Sequence, residues 1–299
     1  MSVATEVTAL NVALDDYPHT LPLKRGEISS PDLALAFTDI RPANRFFKPM
    51  VRELKFDVSE MAIATFVQAK NYGKPLVLLP ATMMGRFQQG TLLCRVAKPV
   101  TPAELAGKRV GVRSYSQTTA VWVRGILQND YGVDVDRIHW VTQEDGHLAE
   151  YREPAGVERV GPDKNLLTML RDGELDAAIY GADLPKDPAL TSVIADPETA
   201  AQAWFAKHKV VPVNHMVVVT ETLAKSNPHA VREIYRLLVQ GKKAAGGPAP
   251  GGIDFLPFGF EACRPALQTV IDYALQQNLI GRKIAVEELY DDTTRTLAP

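Results

Sequence analysis

The chain has 299 residues, 46% apolar and 23% charged, an ordinary soluble globular composition with room for one large domain or two of medium size. A formal net charge of −2 offers no basic surface of the kind nucleic acid requires. No stretch approaches the roughly 20 apolar residues that span a bilayer.

Residues 1–16, MSVATEVTALNVALDD, hold neither Lys nor Arg and no apolar h-region. They do not read as a secretory signal, and a cytoplasmic protein is expected. The first strand-like run is Leu10–Leu14, and DDYPHT (15–20) follows it. Asp and Pro there favour a turn. Further strand-like runs are Leu33–Phe37, Leu76–Leu79, Thr91–Val96, Arg109–Val112, Ile138–Val141, Ala177–Tyr180 and His215–Thr220. Helical patterns alternate with them, which predicts an α/β fold. FDVSEMAI (56–63) reads as a strand running into a helix, with Glu60 near the helix start, where the dipole suits an acid.

Thr101-Pro102-Ala103-Glu104 has the pattern of a capping box opening a helix. From Thr119, apolar Ala120, Val123, Ile126, Leu127 and Tyr131 recur at helical spacing, and Gly132 supplies a stop. Trp122 reads as core, and Arg124 as a brace. The segment AAGGPAPGG (244–252) cannot hold regular structure and reads as a loop or flap. A last helix is predicted from Pro265, with Leu267, Val270, Ile271, Ala274 and Leu275 as its stripe, ending at Gly281. Cys94 and Cys263 are expected to be buried free thiols.

RSYSQTT (113–119) joins a strand to a helix start. Backbone N–H groups and the helix dipole favour an anion there, and Ser114, Ser116, Thr118 and Thr119 add hydroxyl donors. Simple N-capping by one hydroxyl is the alternative. His19 has the titration range of an acid–base catalyst. No HExxH, CxxC or paired His at i and i+4 occurs, nor a GxGxxG, P-loop or GxSxG. Metal, nucleotide and serine-hydrolase chemistry therefore lack a motif, although Asp15, Asp16 and His19 cluster in sequence. No cofactor or metal is expected.

FDVSEMAI (56–63), TTAVWVRGILQNDYGV (118–133), DGELDAAI (172–179), VVPVNHMVVV (210–219) and PFGFEACRPAL (257–267) together resemble the 4,5-dihydroxyphthalate decarboxylase family. The resemblance runs in order over nearly the whole chain. It implies a two-lobed type II periplasmic-binding-protein-like fold with an interlobe cleft and two crossing hinge strands, near Thr91–Val96 and Val211–Val219. Lobe 1 would be 1–93 and 216–299, and lobe 2 would be 94–215.

By that resemblance the loop after the first strand borders the cleft, which makes His19, Glu60 and His215 candidate catalytic groups. Asp16, Tyr17, Ser59, Arg86, Gln88, Gln89, Ser114, Ser116, Thr118 and Thr119 become candidate substrate ligands. Where relatives commonly carry Tyr-Asp-Arg-Thr, this chain reads Tyr17-Pro18-His19-Thr20. Where they commonly carry Phe-Arg-His-Ser, it reads Phe87-Gln88-Gln89-Gly90. Two positions that are usually Arg are thus His19 and Gln88. Because bidentate Arg is the usual carboxylate partner, an aromatic acid with one carboxylate fits better than a phthalate.

The expected function is cofactor-independent decarboxylation of a hydroxylated aromatic acid by ring protonation and CO2 loss. The alternative is a non-catalytic solute-binding protein for a small aromatic or other anionic ligand, since one fold serves both. The expected partner is a small aromatic acid, with no nucleic acid or membrane. A homo-oligomer is compatible with everything above.

Overall fold

Apolar β-branched runs and amphipathic helices alternate along the chain, and a computed structural model shows what they build. It describes residues 7–161, 163–181, 184–249 and 251–299. The first six residues, part of the segment read above for a secretory signal, lie outside that set. The elements are β1 (Thr8–Ala13), α1 (Leu21–Lys24), β2 (Leu33–Phe37), α2 (Asn44–Glu53), β3 (Val58–Ala62), α3 (Ile63–Asn71), β4 (Leu76–Gly85), β5 (Leu92–Arg95) and β6 (Arg109–Val112). They continue with α4 (Thr118–Asp130), β7 (His139–Thr142), β8 (Glu158–Arg159), α5 (Leu166–Asp172), β9 (Ala177–Ile179), β10 (Leu190–Ser192), α6 (Pro197–His208), β11 (Val213–Thr220), α7 (Glu221–Ser226), α8 (Pro228–Ala244) and α9 (Phe260–Gln276).

Two compact units result. The first takes residues up to Gly85, Val213–Ile271 and Gly281–Pro299. Its sheet has the order β2-β1-β3-β11-β4. β1 pairs parallel with β2 and β3, whereas β11 runs antiparallel between β3 and β4. All five residues of β3 are buried, as expected of a central strand with both edges paired and both faces covered. The α2 helix buries Phe46, Phe47, Met50 and Val51 on one face and ends at Leu54, whose left-handed φ of 52° lets its N–H reach the Met50 carbonyl. Phe46 is fully buried, so its truncation to Ala should cost about 3–5 kcal/mol. The α8 stripe of Val231, Ile234, Leu237 and Leu238 joins Leu10, Val12, Leu79 and Val217 in the main core.

The second unit takes Arg86–Pro212 and Asp272–Ile280. Its sheet order is β10-β5-β9-β6-β7-β8, with β9, β6, β7 and β8 parallel and β5 antiparallel to both its neighbours. Parallel strands need covered faces, and Leu93, Val141, Leu166, Met169, Leu170 and Leu175 supply one core. Asn165 caps α5 by accepting from the Leu167 and Thr168 amides, and Gly173 ends it at φ 84°. Arg124 is fully buried. It donates to the Tyr115 carbonyl (2.7 Å) and to Gln277 Oε1 (2.8 Å), and its guanidinium lies 4.0 Å from the Tyr115 ring centroid. It therefore braces the 113–119 turn within this unit. Trp122 is core, set edge-on against Tyr273 and Trp204.

Several elements depart from their sequence reading. The 101–104 pattern forms one 3-10 turn, Pro102–Glu104, although Glu104 does accept from the Thr101 amide and hydroxyl. The last helix starts at Phe260, with Pro265 inside it, and stops short of Gly281 because Asn278 already takes a left-handed φ of 56°. Glu60 lies inside β3, three residues before α3 begins, so a helix dipole does not account for it. The short strands β8 and β10 gave no hydrophobic signal. The units divide at 85/86 and 212/213, where Val213 pairs with Gly85 and the Arg86 amide donates to the Pro212 carbonyl. The sequence reading placed these boundaries at 93/94 and 215/216.

Candidate functional site

The first unit concentrates its polar burial around one carboxylate. In the β3–β11 register Glu60 faces Val217, and His215 faces Ala62. Glu60 and His215 are thus diagonal neighbours on one sheet face. Glu60 is 0% exposed. Its Oε1 accepts from the Tyr17 hydroxyl (2.7 Å) and pairs with His215 Nδ1 (2.6 Å), while Oε2 accepts from the Asp15 amide (3.0 Å). A buried carboxylate needs such partners to stay charged. Burial and the adjacent Glu60 charge push the Tyr17 hydroxyl far above its ordinary range, so it remains a donor. The Phe47 ring meets the His215 ring edge-on at 5.1 Å.

His19 belongs to the same cluster. Its ring stacks on Tyr17 with centroids 5.1 Å apart and planes 1° from parallel. It is only 6% exposed. Burial holds its pKa below the usual histidine value, opposed by the Glu60 charge and by a hydrogen bond to the Met83 backbone that favours the protonated ring. Nε2 has no partner among the described residues. A neutral imidazole with one nitrogen spoken for and the other open is a ready proton acceptor. Thr20 Oγ1 fixes the turn by bonding the Tyr17 amide and the Asp15 carbonyl. Helix α8 supports it from behind, where a Cβ on Gly241 would lie 2.2 Å from the His19 carbonyl oxygen.

Other expected ligands have different surroundings. Asp16 is paired with Lys24 and Arg41, and these cations hold its carboxyl below the ordinary range, Lys24 chiefly. Ser59 is buried and donates to the Glu60 carbonyl (2.8 Å). Asp15 accepts from the Asp16 and Ala43 amides. Among the described residues no group of three or more His, Cys, Asp or Glu could hold a metal ion. Both cysteines are buried and free, and burial pushes the Cys263 thiol up to about 12.

The remaining candidates are in the second unit. Arg86 Nη2 donates to Thr119 Oγ1 (3.3 Å). Gln88 and Gln89 are buried; Gln88 donates to the Arg86 carbonyl and to Gln89 Oε1, while Gln89 Nε2 has no partner among the described residues. Ser114, Ser116, Thr118 and Thr119 are all buried at the turn into α4, and Ser114 Oγ lacks a partner among the described residues. The α4 N-cap residue, Gln117, makes no side-chain capping bond. Sequence reading passed over Arg113 and Gln117 in this turn, both of which line a concavity of about 270 Å³. A cation at the C-terminal edge of a predicted parallel strand was the signal available.

No protein-family model matches the chain. It is 30% identical over 233 residues to a 4,5-dihydroxyphthalate decarboxylase from Comamonas testosteroni, covering 73% of this chain and 70% of that one. It is 29% identical over 210 residues to a 4,5-dihydroxyphthalate decarboxylase from Pseudomonas putida, covering 66% and 81%. Similar solved structures include an alkanesulfonate-binding protein from Xanthomonas axonopodis pv. citri, at TM-score 0.64 and 14% identity over 96% of this chain and 99% of that one. A periplasmic aliphatic sulphonate-binding protein from Escherichia coli gives TM-score 0.62 and 13% identity over 97% and 94%. The fold is therefore that of the periplasmic binding proteins, a two-lobed α/β architecture. Identity at this level with decarboxylases over most of both chains fixes the sequence family, whose named members are carbon–carbon lyases: the chain belongs to the 4,5-dihydroxyphthalate decarboxylase family.

Proposed function

We propose that the protein removes a carboxyl group as CO2 from a hydroxylated aromatic acid by general acid–base chemistry, with His19 and His215 as the proton carriers. The observation that carries this reading is the buried Glu60 network, in which Glu60 pairs with His215 and with Tyr17, on whose ring His19 stacks. Direct loss of CO2 from the ring would leave an aryl carbanion. A ring hydroxyl ortho or para to the carboxylate offers a lower path, and it needs only proton transfers and positioning.

His19, neutral and open at Nε2, accepts the ring-hydroxyl proton. The electron density released into the ring lets the carbon bearing the carboxylate take a proton from His215, whose ring Glu60 orients through Nδ1. The resulting dienone loses CO2, the C–C electron pair restores the ring, and His19 returns its proton to the phenolate. The cycle consumes one proton, replaced at His215 from solvent. Glu60 acts through His215 and Tyr17, as a carboxylate orients a catalytic imidazole in other enzymes.

The His19, Gln88 and Gln89 substitutions supply fewer cations than a dicarboxylate uses. That favours a hydroxybenzoate over 4,5-dihydroxyphthalate. Single-turnover rates with a hydroxybenzoate and with 4,5-dihydroxyphthalate test the assignment. His19→Gln and His215→Gln should each fold and turn over at least about a hundredfold more slowly. Near-full turnover in both variants would remove the histidines from the mechanism.

A further inference from the structure

Helix α8 passes close behind the DDYPHT turn, with Gly241 against the His19 carbonyl oxygen. The next residue is Lys242. Lysine in the last turn of a helix suits the dipole, and a solvated ammonium would satisfy that role. Lys242 is instead drawn inward. Its Nζ donates to Asp254 Oδ2 (2.7 Å) and to the Leu256 carbonyl, and it lies 5.0 Å from the Phe258 ring centroid. Asp254 in turn accepts from the Leu256 amide (2.9 Å). The Lys242 side chain is 19% exposed. One carboxylate, one carbonyl and one ring face thus hold the ammonium in a fixed place.

The segment it grips runs along β4 beside His19. Phe258 pairs antiparallel with Ala81, and the Thr82 amide donates to the Pro257 carbonyl (3.3 Å). Two residues along each chain from that bridge come Leu256, whose carbonyl Lys242 holds, and Met83, whose backbone the His19 ring bonds. The end of α8 therefore reaches His19 by three routes. Gly241 backs its carbonyl, Lys242 fixes the segment next to Met83, and the Lys242 charge opposes protonation of the ring. Glu60, from β3, acts on the ring in the opposite direction. On the turn itself the acids are already matched, Asp15 by Arg41 and Asp16 by Lys24 and Arg41.

We propose that Lys242 is a positioning residue for His19, clamping the Leu256 segment beside the ring and setting a permanent positive charge near it. Both effects keep the imidazole neutral and in place. The consequence for turnover rests on the function proposed above, whereas the hold on His19 does not.

The test is NMR titration of the histidine rings in the full chain, with His19→Gln identifying the His19 signal among the six. Lys242→Met should move the His19 midpoint upward, because a like charge is lost. Lys242→Arg keeps the charge and should restore the wild-type midpoint. Asp254→Asn breaks the same ion pair but leaves the ammonium with less compensation, so it should move the midpoint downward. That opposite sign separates an electrostatic hold from a segment that merely slackens, and Asp254→Asn alone carries the test if Lys242→Met fails to fold. With a substrate acid, Lys242→Met should lower kcat about tenfold or more and shift the acid limb of the rate profile to higher pH, and Lys242→Arg should recover most of the loss. An unchanged midpoint in folded Lys242→Met, or an unchanged or raised midpoint in Asp254→Asn, would overturn the proposal. Midpoints that move as expected in a protein that releases no CO2 would sink the proposed function and leave the hold of Lys242 on His19 standing. CO2 release with a midpoint indifferent to Lys242 would do the reverse.

Discussion

Replacing Glu60 by Gln separates the electrostatic role of the network from its hydrogen bonding. Glu60 accepts from three donors: the Tyr17 hydroxyl, His215 Nδ1 and the Asp15 amide. A Gln with its oxygen toward Asp15 turns its NH2 toward the other two. Tyr17 can accept instead of donating, and His215 can move its proton to Nε2 and accept at Nδ1. All partners then remain satisfied. Each bond changes from charge-assisted to neutral, a loss of about 1 kcal/mol apiece, against which stands relief of the several kcal/mol that burying a carboxylate costs. Stability should therefore change by less than about 2 kcal/mol.

Glu60→Ala has no such remedy. It leaves three donors without an acceptor and should cost about 3–5 kcal/mol. Turnover in Glu60→Gln should fall at least about a hundredfold, because His215 loses its anionic partner and the tautomer that carries its proton. Urea denaturation, single-turnover kinetics and nitrogen NMR of the His215 ring read the three quantities. A Glu60→Gln protein with wild-type turnover, or with Nδ1 still protonated, would refute the assignment of Glu60 as the group that orients His215.

Further outcomes follow from the same contacts. His19, held neutral by burial, should titrate by NMR with a midpoint below the usual histidine value of about 6.5. Its folded pKa is the lower one, so the unfolded chain binds more protons in the window below about 6.5. Stability should rise with pH through that window and be complete above it, whereas a midpoint above 6.5 would contradict the burial argument. Gly241→Ala would put a Cβ 2.2 Å from the His19 carbonyl oxygen. It should destabilise the protein by about 1–3 kcal/mol and slow turnover by displacing the DDYPHT turn; a neutral effect on both would show that turn to be slack. Exhaustive chelation should leave turnover intact, and loss restored by one divalent metal would redirect attention to Asp15, Asp16 and His19.

Much of the fold was legible because many of its strands are short runs rich in apolar residues. Leu33–Phe37 and Arg109–Val112 form strands over the residues read from sequence. β10 has no buried residue and β8 is exposed, so neither left a pattern to read. The site was legible only through family resemblance. Tyr17, Glu60 and His215 are separated by 43 and 155 residues, and only the antiparallel β3–β11 register makes them neighbours. Nothing local distinguishes Glu60 from an acid at a helix start, or His19 from a turn residue. Arg113 went unread because hydroxyls dominate RSYSQTT, and the concavity it lines is walled by residues about 50 to 70 positions downstream.

The central claim is that this binding-protein fold performs chemistry. The direct measurement is CO2 release by the wild-type protein from a panel of hydroxybenzoates and hydroxyphthalates, with each acid assayed for loss. The Glu60 network predicts catalytic CO2 release from at least one acid bearing a hydroxyl ortho or para to its carboxylate, and none from matched acids lacking that hydroxyl. Saturable binding of the same acids with every one recovered unaltered would contradict it and make the protein a solute-binding protein.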